Sequence, residues 1–216
     1  MTVTTNFSPV KVHYFDFGDF AKSLPKDVGR GENIRLFLED AGIPHEYILY
    51  PWSEWPVVRD EWIQNGYLTG TLPALQTNDG KKYFHTVPIL CFLSKQLGKY
   101  YGKNVDEEYL VDVVADTAND FYDSFVHNYW LRRVSDNREN HHKNEAPIHI
   151  DRLERFYKIN EGPYLLGSEI SFADFQVYHV IRDEQLTELP PRLATLIKTF
   201  EERPNIKKYL EAKKNN

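Results

Sequence analysis

The sequence predicts a small α/β domain followed by an all-helical domain. Three observations predict it: strand and helix signals alternate over residues 10–97, a polar, glycine-containing stretch follows at 98–104, and only helical signals come after it. Alternating elements with short connections form a sheet covered by helices, whereas consecutive amphipathic segments pack against one another. We therefore expect one domain at residues 1–97 and a second at 105–216.

The composition is that of an ordinary globular chain. Hydrophobic residues make up 41% of the 216 positions and charged residues 27%, which excludes a disordered chain, a collagen-like chain and a disulfide scaffold. No apolar run approaches the roughly 20 residues needed to cross a bilayer. The first residues lack the basic segment and apolar core of a secretion signal. We therefore expect no membrane partner.

Charge and cysteine content narrow the possible partners and the compartment. Lys and Arg together number 26 and Asp and Glu 32, so the formal net charge is −6. Because an acidic chain with scattered basic residues binds nucleic acid poorly, no nucleic-acid partner is expected. The single cysteine, Cys91, has no second cysteine for an internal disulfide, which favours a cytoplasmic location.

The first domain is predicted to open as strand, helix, strand. Residues 10–15 are rich in β-branched and aromatic side chains that partly alternate, which indicates a strand. The polar residues 16–28 are predicted to form a loop. Apolar side chains at helical spacing predict a helix over 31–41, and Gly42 ends it. A short strand is predicted at 46–49.

A hairpin and a helix complete the first domain. The Trp-rich stretch after the second strand is predicted to be irregular, apart from one helical turn near 57–63. Residues 72–76 and 82–84 flank Asn78-Asp79-Gly80, a strong hairpin signal. A helix is predicted over 86–97, because a threonine suited to a cap precedes a proline in the first turn.

The second domain is predicted to contain helices alone. Residues 132–145, which are charged and polar, are predicted to be a loop or a weak helix end. Ser171 and Asp174 have the spacing of a capping box, in which each side chain bonds the backbone N–H of the other residue, so a helix is predicted to start there. The other helices are predicted at 106–130, 147–160, 191–203 and 205–213.

A series of motifs in chain order, over about residues 10–213, resembles the cytosolic glutathione transferases. They are Val12-His13-Tyr14-Phe15, Gly29-Arg30-Gly31-Glu32-Asn33-Ile34-Arg35, Trp55-Pro56 with Arg59, Thr71-Leu72-Pro73-Ala74-Leu75, His85-Thr86-Val87-Pro88-Ile89, Val111-Asp112 with Thr117-Ala118-Asn119-Asp120-Phe121, Gly167 with Ser171-Phe172-Ala173-Asp174, and residues 203–210. The tyrosine and the motif at 117–121 resemble the sigma class, which is a Tyr-type class. The resemblance implies an α+β, thioredoxin-like N-terminal domain followed by an all-α C-terminal domain.

The same resemblance implies a detoxifying enzyme that conjugates its co-substrate glutathione to small apolar electrophiles and works as a cytoplasmic homodimer. Tyr14 is expected to stabilise the glutathione thiolate by a charge-assisted hydrogen bond worth about 1.5–3 kcal/mol. Arg30 is expected to lie near the same anion. Trp55 and Arg59 are expected to hold the carboxylate at the glycine end of glutathione.

Further contacts follow from the resemblance. Leu72 and Pro73 are expected to offer backbone groups to the peptide through a cis bond. His85 and Thr86 are expected to take the γ-glutamyl carboxylate at a helix N-terminus. Asp120 is expected to reach the γ-glutamyl amine bound by the other subunit of the dimer. The residues expected in the electrophile pocket are Phe15, Phe17, Phe125 and Trp130.

Residue types alone leave more ordinary interpretations open. Tyr14 also fits a strand-end tyrosine half in the core, and Trp55 fits an aromatic cluster with Trp52 and Trp62. Asp120 also fits a solvated helix face. Three histidines lie close enough in sequence to suggest a metal site: His141, His142 and His149. Their spacing fits no standard zinc signature, so no metal is expected.

The sequence departs from the family pattern in two places. His85 stands where the family has glutamine, and the polar residues 16–28 separate Tyr14 from Arg30, which lie closer together in the family. Two alternative functions therefore stay open: a non-catalytic ligand-binding or structural protein, and a glutathione-dependent isomerase that resembles the prostaglandin synthases.

Overall fold

The computed structural model describes residues 6–18, 29–67, 69–131 and 139–214. Contacts between residues divide the chain into two units, one made of Met1–Leu97 with Arg203–Asn216 and one made of Gly98–Glu202. The C-terminal residues thus group with the N-terminal unit, whereas the sequence placed them in the helical domain. Most of the predicted loop at 16–28, namely 19–28, lies outside the described residues.

The first unit is built on a four-stranded mixed sheet with the spatial order β2-β1-β3-β4. Its strands are β1 (Val10–Asp16), β2 (His45–Pro51), β3 (Ala74–Gln76) and β4 (Lys82–Phe84). The central strand β1 pairs in parallel with β2 and antiparallel with β3, and β3 and β4 form the predicted hairpin. The strand period buries Val10, Val12 and Tyr14 of β1 on one face of the sheet.

Three helices follow strands of this sheet. They are α1 (Arg30–Ala41), α2 (Trp55–Gln64) and α3 (Thr86–Leu97). The predictions of α1 and α3 are confirmed, but α2 is longer than the single turn that was expected. Its buried anchors are Trp55 and Trp62, and a proline suits its first turn. The exposed apolar side chains Val57 and Ile63 blur the helical period of this stretch.

The second unit is helical throughout its named elements. They are α4 (Val105–Phe125), α5 (Ala146–Tyr157), α6 (Phe172–Asp183) and α7 (Pro191–Glu201). The Asn104 side chain caps α4 by accepting a bond from the Glu107 N–H at 3.0 Å. The capping box of Ser171 and Asp174 is confirmed at the start of α6. Among the described residues, none of the helices combines the length and the apolarity that a membrane span requires.

Two π-helical turns differ from the prediction. The expected α-helix over 106–130 passes into a π-helical turn at Val126–Leu131, and a second one lies at His141–Glu145. The expectation of a loop or weak helix end at 132–145 is therefore wrong for the second turn, while residues 132–138 lie outside the described part. π-Helical turns are rare in proteins, and both of these turns contribute side chains to contacts distant in sequence.

A buried polar network supplies those contacts. His141 is fully buried, and its Nε2 lies 2.5 Å from Glu184 Oε1 while its Nδ1 lies 3.2 Å from Glu145 Oε2. The same Glu145 oxygen accepts bonds from Ser124 at 3.0 Å and from Asn128 at 2.8 Å. Burial lowers the pKa of His141, but the two carboxylates outweigh it and the pKa is raised above 6.5. The network therefore joins both π-helical turns to the end of α6.

The last helix, α8 (Pro204–Lys214), packs on α1 and so belongs to the first unit. Arg203 donates to both carboxylate oxygens of Asp40, from Nε at 2.7 Å and from Nη2 at 2.6 Å. The Asn205 side chain donates to the Asp40 carbonyl at 3.0 Å. Bidentate bonds of this kind fix orientation as well as distance. These long-range contacts explain why the C-terminal residues group with the first unit and not with the helical unit.

A buried neutral histidine lies in the middle of β1. His13 Nε2 lies 3.1 Å from the Gln76 amide oxygen, which can only accept, so the ring proton is on Nε2. Nδ1 then accepts from the Tyr50 hydroxyl at 2.8 Å. The ring also packs edge-on against Trp62, with centroids 5.2 Å apart. Burial, against a smaller opposing effect of Gln76, lowers the pKa of His13 to about 4.

This histidine predicts a loss of stability in acid. Below pH 6.5 the unfolded chain binds the proton first, so His13 should cost on the order of 3 kcal/mol of unfolding free energy as the pH falls to about 4. Urea unfolding of the wild type and of His13→Gln at several pH values measures it. The stability advantage of the wild type should shrink between pH 6.5 and 4, and a constant difference would contradict the assignment.

Candidate active site

Tyr14 lies on the central strand and meets the start of α1. Its side chain is 7% exposed, and its hydroxyl oxygen accepts a hydrogen bond from the Arg30 backbone N–H at 2.8 Å. This N–H belongs to the first turn of α1, which carries the partial positive charge of the helix dipole. A phenol hydroxyl is also a donor. The arrangement therefore fixes a donor in an environment that favours a nearby anion.

Two glycines allow α1 to approach the tyrosine this closely. A Cβ on Gly29, whose φ is +111°, would lie 2.6 Å from the Tyr14 hydroxyl oxygen. A Cβ on Gly31 would lie 2.5 Å from Tyr14 Cγ and 2.3 Å from the Tyr47 hydroxyl oxygen. The sequence motif contained both glycines, but their steric role becomes evident only in the structure.

The structure brings Tyr14 and Arg30 together although they lie 16 positions apart. The contact is made by the Arg30 backbone, and the expected effect of its guanidinium on a bound thiolate stays a prediction. Phe17 lies beside the Tyr14 ring, with centroids 5.7 Å apart. Phe15 contacts Phe17 at 6.1 Å and Trp52 at 4.7 Å. Trp52, which is 68% exposed, joins this aromatic surface and was not among the expected pocket residues.

Trp55 and Arg59 lie one turn apart on α2. Trp55 is buried and packs edge-on against Trp62 at 5.5 Å and Phe15 at 5.7 Å, so the interpretation as part of an aromatic cluster describes its packing. Arg59 is exposed, and its Nε and Nη2 donate to Asp60 Oδ1 at 2.9 and 2.8 Å. Their role in holding a carboxylate stays a prediction, in which a ligand would replace or share the bonds to Asp60.

The backbone before β3 has the expected geometry. The Leu72–Pro73 peptide bond is cis, as the resemblance implied. Leu72 is partly buried and packs against the cluster of Trp55, Trp62 and Ala74. The peptide groups before β3 are therefore held by a packed side chain at the end of the sheet.

The start of α3 carries a buried hydroxyl that has no hydrogen-bond partner in the described part of the chain. His85 is exposed with φ at +65°, and its carbonyl accepts the Ile89 N–H at 3.0 Å, so it directly precedes the helix. Thr86 is 6% exposed, and its Oγ1 is buried with no hydrogen-bond partner among the described residues. Buried polar groups are normally paired. A helix N-terminus with such a hydroxyl is suited to bind an anion.

The expected residues of the second unit are placed in different environments. Asp120 is exposed on α4, which fits either a contact with another molecule or a solvated face. Phe125 is fully buried in the core of the helical unit, which disfavours direct contact with a ligand. The side chain of Trp130 lies outside the described part. Within the described residues, no group of three or more His, Cys, Asp or Glu side chains is arranged to hold a metal.

Comparisons with known protein families and with individual sequences all find glutathione S-transferases. The family model "Glutathione S-transferase, N-terminal domain" matches residues 31–96, and "Glutathione S-transferase, C-terminal domain" matches residues 115–213. Glutathione S-transferase P 10 of Caenorhabditis elegans is 29% identical over 194 residues, which cover 86% of this chain and 88% of the relative. Glutathione S-transferase P of Bos taurus is 29% identical over 193 residues, which cover 84% and 87%.

Solved structures share the fold. The Pi-class glutathione S-transferase of Onchocerca volvulus has a TM-score of 0.78 at 22% identity. The aligned residues cover 95% of this chain and 94% of that protein. A sigma-class protein of Fasciola hepatica has a TM-score of 0.75 at 21% identity, covering 94% and 96%. Prostaglandin synthase D of Nilaparvata lugens has a TM-score of 0.70 at 24% identity, covering 94% and 97%. The likeness extends to more than one class and does not select among them.

Proposed function

The chain belongs to the glutathione S-transferase family, and on this premise we propose that it transfers glutathione to small apolar electrophiles with Tyr14 stabilising the thiolate. The observation that carries the proposal is the Tyr14 hydroxyl bonded at 2.8 Å to the first turn of α1. The Arg30 N–H withdraws charge from the Tyr14 oxygen. The Tyr14 O–H is therefore a better hydrogen-bond donor to sulfur. The sequence motifs at Tyr14 and 117–121 support the proposal of a sigma-like, Tyr-type member.

The proposed chemistry needs a reactive sulfur anion. A hydrogen bond from Tyr14 to the thiolate, worth about 1.5–3 kcal/mol, lowers the thiol pKa by roughly one to two. The thiol proton leaves to solvent, and the thiolate forms a bond to the electrophilic carbon. Either a leaving group departs with its bonding electron pair, or the pair of an activated double bond moves to the neighbouring atom, which takes a proton from solvent. Phe15, Phe17 and Trp52 form the aromatic surface beside Tyr14, which suits an apolar or planar electrophile.

The remaining groups of glutathione are assigned by their chemistry. The γ-glutamyl carboxylate is proposed to bind at the start of α3, where Thr86 supplies a buried hydroxyl that no other described residue binds. The peptide portion is proposed to pair with the backbone at Leu72. The glycine carboxylate is proposed to bind Trp55 and Arg59.

Removing the Thr86 hydroxyl tests the binding site. Thr86→Val keeps the volume of the side chain but loses a bond to a carboxylate, so the Kd for glutathione should rise by about tenfold. Isothermal titration calorimetry measures it. Ser94→Ala is the matched control, because Ser94 carries another buried hydroxyl in α3 for which the described residues offer no partner. Equal Kd values for the wild type and Thr86→Val would exclude the γ-glutamyl assignment.

Product analysis separates the alternative functions. A Tyr14-stabilised thiolate also serves an isomerase, in which glutathione is regenerated, whereas a ligand-binding or structural protein shows no turnover. Net loss of glutathione during turnover supports conjugation, and turnover without loss supports isomerisation.

We also propose a cytoplasmic homodimer with a role in detoxification. Asp120, exposed on α4, would then reach the γ-glutamyl amine of glutathione bound to the other subunit. The support is the family resemblance together with this exposure. Sedimentation equilibrium of the full chain measures the oligomeric state.

A further inference from the structure

Side chains of the C-terminal helix α8 form hydrogen bonds with the first turn of α1. Glu32 is 5% exposed, and its carboxylate accepts bonds from the Tyr209 hydroxyl at 2.8 and 3.0 Å. Lys213 Nζ donates to the same carboxylate at 2.6 Å. A buried carboxylate needs such partners, because its desolvation is otherwise very costly. The position of Glu32 is therefore tied to α8.

The next turn of α1 is held on the same side. The Arg35 guanidinium lies over the Tyr209 ring at 4.9 Å and over the Tyr47 ring at 5.0 Å. Tyr47 also lies against Gly31, since a Cβ there would be 2.3 Å from its hydroxyl oxygen. The α8 contacts and the contacts around Gly31 thus converge on one stretch of helix.

That stretch also positions the tyrosine. Glu32 lies in the same helical turn as Arg30, whose N–H donates to the Tyr14 hydroxyl at 2.8 Å. Gly31, between them, is packed on the Tyr14 ring. Because Glu32 follows Arg30 by two residues in the same helical turn, we expect a shift of Glu32 to move the Arg30 N–H relative to Tyr14.

We propose that Tyr209 and Lys213 are positioning residues for Tyr14: by holding Glu32 they keep the first N–H of α1 on the hydroxyl that polarises the glutathione sulfur. The inference rests on the proposed function. It assigns a task in the thiolate site to the C-terminal helix.

The other end of α1 offers a matched control. Arg203 donates two hydrogen bonds to the Asp40 carboxylate, much as Tyr209 and Lys213 donate to Glu32, but Asp40 is about 12 Å further along the helix axis. If α8 served stability alone, loosening either end would have the same kind of effect. If it positions Tyr14, only the Glu32 end should affect the sulfur.

The experiment compares Tyr209→Phe, Lys213→Met and Arg203→Lys with the wild type. The thiolate absorbance of bound glutathione against pH gives the thiol pKa, calorimetry gives the glutathione Kd, and thermal unfolding gives Tm. Tyr209→Phe and Lys213→Met should raise the thiol pKa by about 0.5–1 and lower kcat about threefold to tenfold, because the reacting groups are less well aligned. Their Kd should change less than about twofold, since no ligand contact is removed.

The controls make the outcomes decisive. Arg203→Lys should lower Tm but leave the thiol pKa unchanged, and Lys213→Arg, which keeps the cation, should retain the wild-type thiol pKa. An unchanged thiol pKa in both Tyr209→Phe and Lys213→Met, or an equal shift in Arg203→Lys, overturns the positioning role while leaving the proposed function intact. A wild type that does not lower the thiol pKa of bound glutathione overturns both.

Discussion

Replacing Tyr14 with phenylalanine is expected to lower kcat for conjugation by about 10- to 100-fold. The variant keeps the ring that packs under Gly29 and Gly31 but loses the hydroxyl that accepts the Arg30 N–H at 2.8 Å. The lost bond to the thiolate is worth about 1.5–3 kcal/mol, and each 1.36 kcal/mol is tenfold in rate. Steady-state kinetics with an activated aryl halide measures the change.

A second tyrosine on the same sheet provides the control for this variant. Tyr83 lies on β4, where its ring stacks on Phe92 with centroids 4.0 Å apart, and it makes no described contact with α1. Tyr83→Phe should retain kcat within about twofold, as expected for a change outside the site. If Tyr14→Phe also retained kcat, another residue would have to activate the sulfur.

Asp174→Ala is expected to cost the second unit about 3–5 kcal/mol of unfolding free energy, because it breaks a fully buried network. The carboxylate accepts bonds from the Ser171 N–H at 2.7 Å, the Ser171 hydroxyl at 2.9 Å, the Tyr157 hydroxyl at 2.8 Å and the Leu165 N–H at 2.9 Å. Removing it leaves these donors buried without an acceptor. Urea unfolding followed by circular dichroism measures the loss.

The matched control is an exposed aspartate on α5. Asp151 pairs only with Arg155 across one helical turn, at 3.3 Å among the described contacts, and both side chains are exposed. Asp151→Ala should change the unfolding free energy by less than about 0.5 kcal/mol. A loss below about 1 kcal/mol for Asp174→Ala would contradict the role assigned to the network.

Elements with strong local signals were predictable from the sequence. The observed bounds of α3 coincide with those expected for residues 86–97, and the capping box of Ser171 and Asp174 opens α6 as expected. The exposed apolar residues of α2 blurred its period, and the turn at His141–Glu145 contacts Glu184, which directly follows α6. Local patterns do not contain such long-range contacts.

The candidate site was predictable only through the family resemblance. Tyr14 and Arg30 are separated by 16 positions, and no spacing rule would bring them together. The assignment of α8 to the first unit depends on pairs such as Glu32 with Tyr209, which lie 177 positions apart. Hydrogen bonds between residues so far apart in sequence depend on the tertiary structure. The positioning role proposed for the C-terminal helix could therefore be inferred only from the structure.

The role of Tyr14 in stabilising the thiolate is tested by the ultraviolet absorbance of bound glutathione against pH, in the wild type and in Tyr14→Phe. We expect the wild type to lower the thiol pKa by roughly one to two, and Tyr14→Phe to bind glutathione but return the thiol pKa toward that of the free tripeptide. A thiol pKa that is the same in both proteins would contradict the assignment of Tyr14 as the group that stabilises the thiolate.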